Sequence, residues 1–175
     1  MGYTTDFTGA FTLNKQLQPN AKKFLTHLAT TRRMKRNLPE CYGIDGEFQC
    51  EDTDNFGQNR SADIVDYNCP PSTQPGLWLQ WIPNEDGTAI EWDGNEKFYE
   101  YTAWLTYLIA KILAPNGYVL NGTVEYQGER VGDNGEITIK DNVVYLDGNI
   151  VEPDSSLRTD ITWLETQLEL PDAII

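Results

Sequence analysis

The sequence predicts an α+β domain: an antiparallel sheet of several hairpins packed on one central apolar helix, with a shorter basic helix and an extra helix at the C-terminus. Three observations carry this. Segments of period-two alternation recur, separated by turn-sized gaps, as hairpins require. Only two long helical patterns interrupt them, too few for a doubly wound sheet. One of those helices is apolar on more than one side and must be covered by other elements.

The elements follow in order. Residues 3–13 have strand composition, with Phe7, Phe11 and several threonines, and Gly9 marks a bulge. Residues 14–20 read as a turn, and Pro19 and Asn20 open a helix over 21–31 with Phe24, Leu25 and Leu28 on one side. Residues 38–74, broken by Gly43, Gly46, Gly57 and Pro70-Pro71, form a long surface excursion with short strands at 47–50 and 64–67. Residues 77–83 and 88–92 flank Asn84-Glu-Asp-Gly87 as a tryptophan-rich hairpin bearing Trp78, Trp81 and Trp92.

Asp93 or Asn95 caps the central helix, 96–113, which ends at Ala114-Pro-Asn-Gly117. Phe98, Tyr101, Leu105, Leu108 and Ile112 make its stripe, while Trp104 and Ile109 lie off it. Tyr118, Leu120, Val124 and Tyr126 alternate with polar residues as a strand with one wet face. A loop over 128–135 leads to strands at 136–140 and 143–146 around the tight turn Asp141-Asn142. The domain is placed at 1–148, and 149–175 is an extension in which Asp154 or Ser155 caps a short helix through Leu168.

Composition bounds the function. Of 175 residues, 39% are hydrophobic and 11% aromatic, enough for a packed core and against extensive disorder. The net charge of −14 excludes extended contact with a nucleic-acid backbone. It is uneven: 21–36 holds six basic residues and no acid, while elsewhere seven basic residues face 27 acidic ones, a balance of −20. The molecule is thus an acidic body with one cationic patch.

Cys41, Cys50 and Cys69 form no C-x-x-C pair, so neither a disulfide framework nor a zinc ribbon is indicated and free thiols in a cytoplasm are expected. The N-terminus shows no signal peptide, and Lys111 interrupts the longest apolar stretch, so no membrane span is expected. Asp6 stands where myristoylation wants Ser or Thr, and the glycosylation triplets at Asn59 and Asn121 have no consequence without secretion.

Each residue type that could carry chemistry also has a structural role that competes with it. His27 is the single histidine, so any Ser-His-Asp or Cys-His mechanism must run through it; on a basic helix it reads as solvated surface. Asp52, Asp54 and Asp63 superficially match a calcium loop, but Phe56 occupies a ligand position, so no metal is expected. Carboxylate pairs such as Glu91 with Asp93 or Glu125 with Glu129 are abundant in so acidic a chain and identify no catalytic pair. The sharpest feature is Arg32, Arg33, Lys35 and Arg36, whose guanidinium forks suit a phosphate or carboxylate. The competing readings are complementing a helix dipole and pairing with the chain's own acids. With Trp81 as a stacking surface, these four are the candidate ligand-binding residues, although strand tryptophans beside an apolar helix are more often core. No phosphate-binding glycine loop supports a standard nucleotide fold, and no cofactor is expected.

The runs Gln74-Pro-Gly-Leu-Trp-Leu-Gln-Trp81, Asp86-Gly-Thr-Ala-Ile-Glu-Trp-Asp-Gly-Asn-Glu-Lys-Phe-Tyr99 and Gly117-Tyr-Val-Leu-Asn-Gly122 resemble a group of small bacterial and phage proteins. Met1-Gly-Tyr-Thr-Thr-Asp-Phe7, Thr31-Arg-Arg-Met-Lys-Arg-Asn37, Val65-Asp-Tyr-Asn68 and Asp141-Asn-Val-Val144 resemble the same group, so the likeness covers most of 1–146. It supplies no reaction. Leu79 stands where the resemblance leads one to expect cysteine, which argues against an essential thiol there, and the tail beyond about Tyr145 is an addition.

The expectation is therefore a non-enzymatic, phage-encoded cytoplasmic protein. It acts stoichiometrically on a basic host protein, such as a defence factor, through its acidic surface, or sequesters a small anionic ligand such as a nucleotide. The alternative is an enzyme on a phosphorylated or nucleotide substrate with Arg32 and Arg33 as anion clamp.

Overall fold

The computed structural model describes residues 2–50 and 55–154. Seven strands form one antiparallel sheet: β1 (Thr5–Leu13), β4 (Trp81–Pro83), β5 (Ala89–Trp92), β6 (Leu120–Gly128), β7 (Asn134–Lys140), β8 (Val143–Leu146) and β9 (Asn149–Ile150). Their order is β4-β5-β1-β6-β7-β8-β9. The short strands β2 (Lys35–Arg36) and β3 (Ile64–Asp66) pair separately. The α+β class with a central helix is the one the sequence predicts.

Alternation places the core. Phe7 and Phe11 of β1 are buried while Asp6, Thr8 and Thr12 are exposed, and β6 repeats the pattern with Val124 and Tyr126 inward and Glu125 and Gln127 outward. The long pairing between β1 and β6 holds one register from Thr5↔Gly128 to Leu13↔Leu120, so Gly9 marks no bulge. Gly9 instead permits close approach: a Cβ there would lie 3.0 Å from the Thr123 carbonyl. The β7–β8 turn at Asp141-Asn142 has φ of 47° and 69°, the mirror-image turn that suits a twisted two-residue hairpin.

Helix α1 (Pro19–Thr30) buries Ala21, Phe24, Leu25, Leu28 and Ala29, an i, i+3, i+4, i+7, i+8 face. Helix α2 (Tyr101–Leu108) runs on through a π turn over Ile109–Leu113 and a 3-10 turn over Ala114–Asn116. It starts five residues later than the sequence pattern suggests. Lys97 (φ 61°) and Glu100 (φ 56°) are left-handed, which stops helix propagation toward Asp93. Asp93 caps only a local turn, accepting from the Asn95 N–H at 2.8 Å.

Phe98, off the helix, is still core. With Trp81, Trp92 and Tyr101 it surrounds Phe7 edge-on, ring centroids lying 4.9–5.9 Å from that ring. Burying one such ring contributes on the order of 2–3 kcal/mol, so these five residues anchor the helix to the sheet.

Three further expectations change. The strand expected at 47–50 is absent: 3-10 turns at Glu40–Tyr42 and Ile44–Gly46 precede it, and Glu47, Phe48, Gln49 and Cys50 all point into the interior. The excursion is thus partly core. The first strand of the tryptophan hairpin is shorter than 77–83, comprising Trp81–Pro83. The sheet also passes the expected domain boundary at 148: Asn149 and Ile150 pair with β8, and Val151 packs on the core. The helix expected from Asp154 or Ser155 through Leu168 lies outside the described residues, apart from Asp154 itself.

Candidate functional site

The basic segment follows α1, where Thr31 is extended (φ −105°, ψ 129°) and turns the chain toward the excursion. This turn sends alternate side chains to different surroundings. Arg33 is 1% exposed. Its Nη2 donates to the Glu47 carbonyl at 2.8 Å and its Nε to Gln74 Oε1 at 3.3 Å. Burial lowers its pKa to about 10. Arg36 is also buried, with Nη1 on Asp63 Oδ2 at 2.8 Å and Nη2 on the Gly57 carbonyl at 2.7 Å. Partial burial works against the Asp63 charge, but hydrogen bonds from Ser61 and Arg36 hold its carboxyl below the ordinary range.

Arg32 is half-buried, donating from Nε to the Tyr67 carbonyl at 2.9 Å and standing over the Trp78 ring at 5.7 Å. Lys35 is half-buried on β2. Trp81 is 1% exposed and donates its indole N–H to the Tyr101 carbonyl. The five candidate ligand residues therefore do not converge on one open site. Arg33 and Arg36 fasten the excursion to the body, and Trp81 is core; burial and internal hydrogen bonds remove all three from an exposed anion site. The reading in which the cluster pairs with the chain's own acids holds for Arg36, which meets Asp63, whereas Arg33 and Arg32 bond to main-chain carbonyls and amide side chains. His27 also departs from expectation: it is half-buried, and its Nδ1 is buried with no partner among the described residues.

Sequence reasoning missed the cluster beneath Arg33. Glu47 is 1% exposed. Its Oε1 accepts from Thr73 and from the Tyr107 hydroxyl at 2.9 and 2.8 Å, and its Oε2 accepts from the Ile44 N–H and lies 3.7 Å from Lys111 Nζ. Gln74 closes the network by donating to both the Glu47 carbonyl and the Tyr107 hydroxyl. Burial, then the Glu47 charge, push the Tyr107 phenol well above its usual value. The π turn carries Lys111 to this acid. With both Glu47 oxygens already partnered, the cluster joins the excursion to the central helix rather than presenting a reactive group.

The open chemistry lies on the outer sheet face. Register sets Glu125 directly opposite Glu136 and Thr8 opposite Glu125, with Asp6 two residues along β1. These residues, with Gln127 and Asn134, line a groove of about 360 Å³. All three carboxylates are exposed. The described ion pairs are elsewhere, at Arg36–Asp63 and Lys111–Glu47. Lys140, outward on β7, stands over the Tyr145 ring at 5.8 Å. The signal for Glu136 was present in the hairpin register, whereas proximity in sequence pointed to Glu129. Among the described residues no His, Cys, Asp and Glu group is arranged to hold a metal, and no helix is long and apolar enough to cross a membrane. Comparison with family models, curated proteins and solved structures finds no match.

Proposed function

We propose that this chain is a stoichiometric, non-enzymatic binding protein that presents the outer face of its seven-stranded sheet to a basic partner. One observation carries the reading: Glu125 and Glu136 are placed directly opposite each other, beside Asp6, in an open groove. Like charges directly opposed across a sheet destabilise it by a few tenths to about 1 kcal/mol. Solubility alone does not need them in register, because the remaining acids already supply a large net charge. A cationic surface docked there would turn repulsion into attraction and speed encounter.

In the phage setting implied by the sequence resemblance, the partner is a basic host protein met in the host cytoplasm. Sequestration of a small anion and the enzyme reading with Arg32 and Arg33 as clamp both lose support from the internal bonding of Arg33. The test is capture from host lysate at low and high salt, followed by titration of the purified partner. Binding should weaken with salt and in the Glu125→Gln, Glu136→Gln double variant, and survive Arg32→Ala. A captured partner whose affinity ignores the double variant overturns the proposal.

A further inference from the structure

A second groove, of about 450 Å³, lies at the β4 edge of the sheet. One wall is aromatic. Trp78 is half-buried, and Phe56, 51% exposed, meets it edge-on at 5.8 Å with an interplanar angle of 85°. The other wall is acidic, formed by Asp93 and Glu96, and no lysine or arginine lines the groove. The Glu96 carboxylate is exposed and meets no donor or cation among the described residues.

Both walls are braced from behind. On the aromatic side, the Phe56 carbonyl accepts from the Arg32 N–H at 2.9 Å, and the next carbonyl, Gly57, accepts from Arg36 at 2.7 Å. Phe56 is thereby held half-exposed at φ 54°, a conformation that a bulky residue adopts only when its surroundings enforce it. On the acidic side, Gln80 donates to the Glu96 carbonyl at 3.0 Å, its side-chain oxygen accepts from the Trp92 indole at 3.2 Å, and its main-chain carbonyl accepts from the Asp93 N–H at 3.0 Å. Preorganised walls lower the ordering entropy lost on binding.

We infer that this groove receives an arginine side chain, with the guanidinium at the Asp93 and Glu96 carboxylates and the aliphatic stem along Trp78 and Phe56. The inference deepens the proposed function and rests on it, because the arginine would belong to the basic partner. Charge complementarity chooses a cation. The indole and phenyl choose guanidinium over ammonium, since guanidinium is planar, more weakly hydrated and stacks on aromatic faces. The chain shows this affinity internally, with Arg32 over the same indole from outside the groove.

The probe is N-acetyl-arginine amide titrated into the full-length protein, with the neutral isostere N-acetyl-citrulline amide as control, following the Trp78 indole N–H resonance. The arginine probe should move that resonance saturably and the citrulline probe should not. Glu96→Gln should weaken binding about fivefold, the scale of one exposed ion pair, while the Trp81 and Trp104 resonances stay in place and report an intact fold. Equal shifts with both probes, no shift, or undiminished binding in Glu96→Gln overturns the inference. The Glu125→Gln, Glu136→Gln variant separates the two readings. Arginine binding that persists when partner binding ignores the sheet variant leaves the groove standing alone, and partner binding that needs the sheet face without any arginine response removes the groove alone.

Discussion

Arg33 and Gln74 converge on one main-chain carbonyl: Arg33 Nη2 and Gln74 Nε2 donate to the Glu47 oxygen at 2.8 and 2.7 Å. Both lone pairs of that buried oxygen are thereby used. This double anchor fixes the excursion where it enters the core, so the guanidinium that looked like a ligand clamp is a fastening between distant parts of the chain.

Replacing Arg33 should therefore act on stability. Arg33→Met keeps the aliphatic stem but leaves Gln74 Oε1 without its donor, and should cost about 1–3 kcal/mol. Arg32→Ala, at a half-buried site, should cost less than about 1 kcal/mol. Urea midpoints rank the two. Equal and small losses would mean that the buried fastening contributes little.

The opposed pair Glu125 and Glu136 gives the reverse expectation. Neutralising one carboxylate, as in Glu125→Gln, removes cross-strand repulsion and should leave stability unchanged or raise it by a few tenths of a kcal/mol. The same change should weaken binding of a basic partner. A variant that is more stable and yet binds less well is the signature of a site retained against the interests of folding. Loss of stability in Glu125→Gln would instead show that the carboxylate supports the sheet.

Gly122 tests a close backbone approach between β1 and β6. A Cβ there would meet the Ala10 carbonyl at 3.0 Å and Phe11 Cα at 3.3 Å, and its φ of 138° disfavours any side chain. Gly122→Ala should destabilise by roughly 1–3 kcal/mol, measured by thermal or urea unfolding. A neutral substitution would require β1 and β6 to separate locally without loss.

What was legible in the sequence was local. The apolar face of α1, the alternation of β6 and the Asp141-Asn142 turn depend on neighbours within a few residues, and each lies where periodicity and turn chemistry put it. Apolar spacing places the start of α2 too early because it cannot reveal that Lys97 and Glu100 adopt positive φ. The basic run was visible, but its acceptors were not: Gln74 is 41 residues from Arg33 and Asp63 is 27 from Arg36. Charge arithmetic likewise gave an acidic body without saying which acids meet. That depended on the β6–β7 register, which opposes Glu125 to Glu136 across a loop.

The last prediction concerns pH, through Tyr126 and Asp147. The Tyr126 hydroxyl donates to Asp147 Oδ2 at 2.6 Å. That hydrogen bond, with one from the Glu136 N–H, holds the Asp147 carboxyl below its usual 3.8. Partial burial first, and the Asp147 acceptor second, raise the Tyr126 phenol above its usual 10.0. As pH falls past 3.8, the unfolded chain protonates at position 147 before the folded one, so stability present above that value is lost toward acid. As pH rises past 10.0, the unfolded chain gives up the proton at position 126 while the folded one keeps it, so stability present below that value is lost toward alkali. Tyr126→Phe preserves the ring and deletes the hydroxyl, and should flatten both limbs of a stability profile measured by urea unfolding between about pH 2 and pH 11. Asp45, Asp63 and Asp86, also held low, leave part of the acid limb, and the raised phenols of Tyr101 and Tyr107 leave part of the alkaline one. A uniform loss of stability with both slopes unchanged would show that the ring's surroundings, and not the hydroxyl–carboxylate bond, set the effect of position 126.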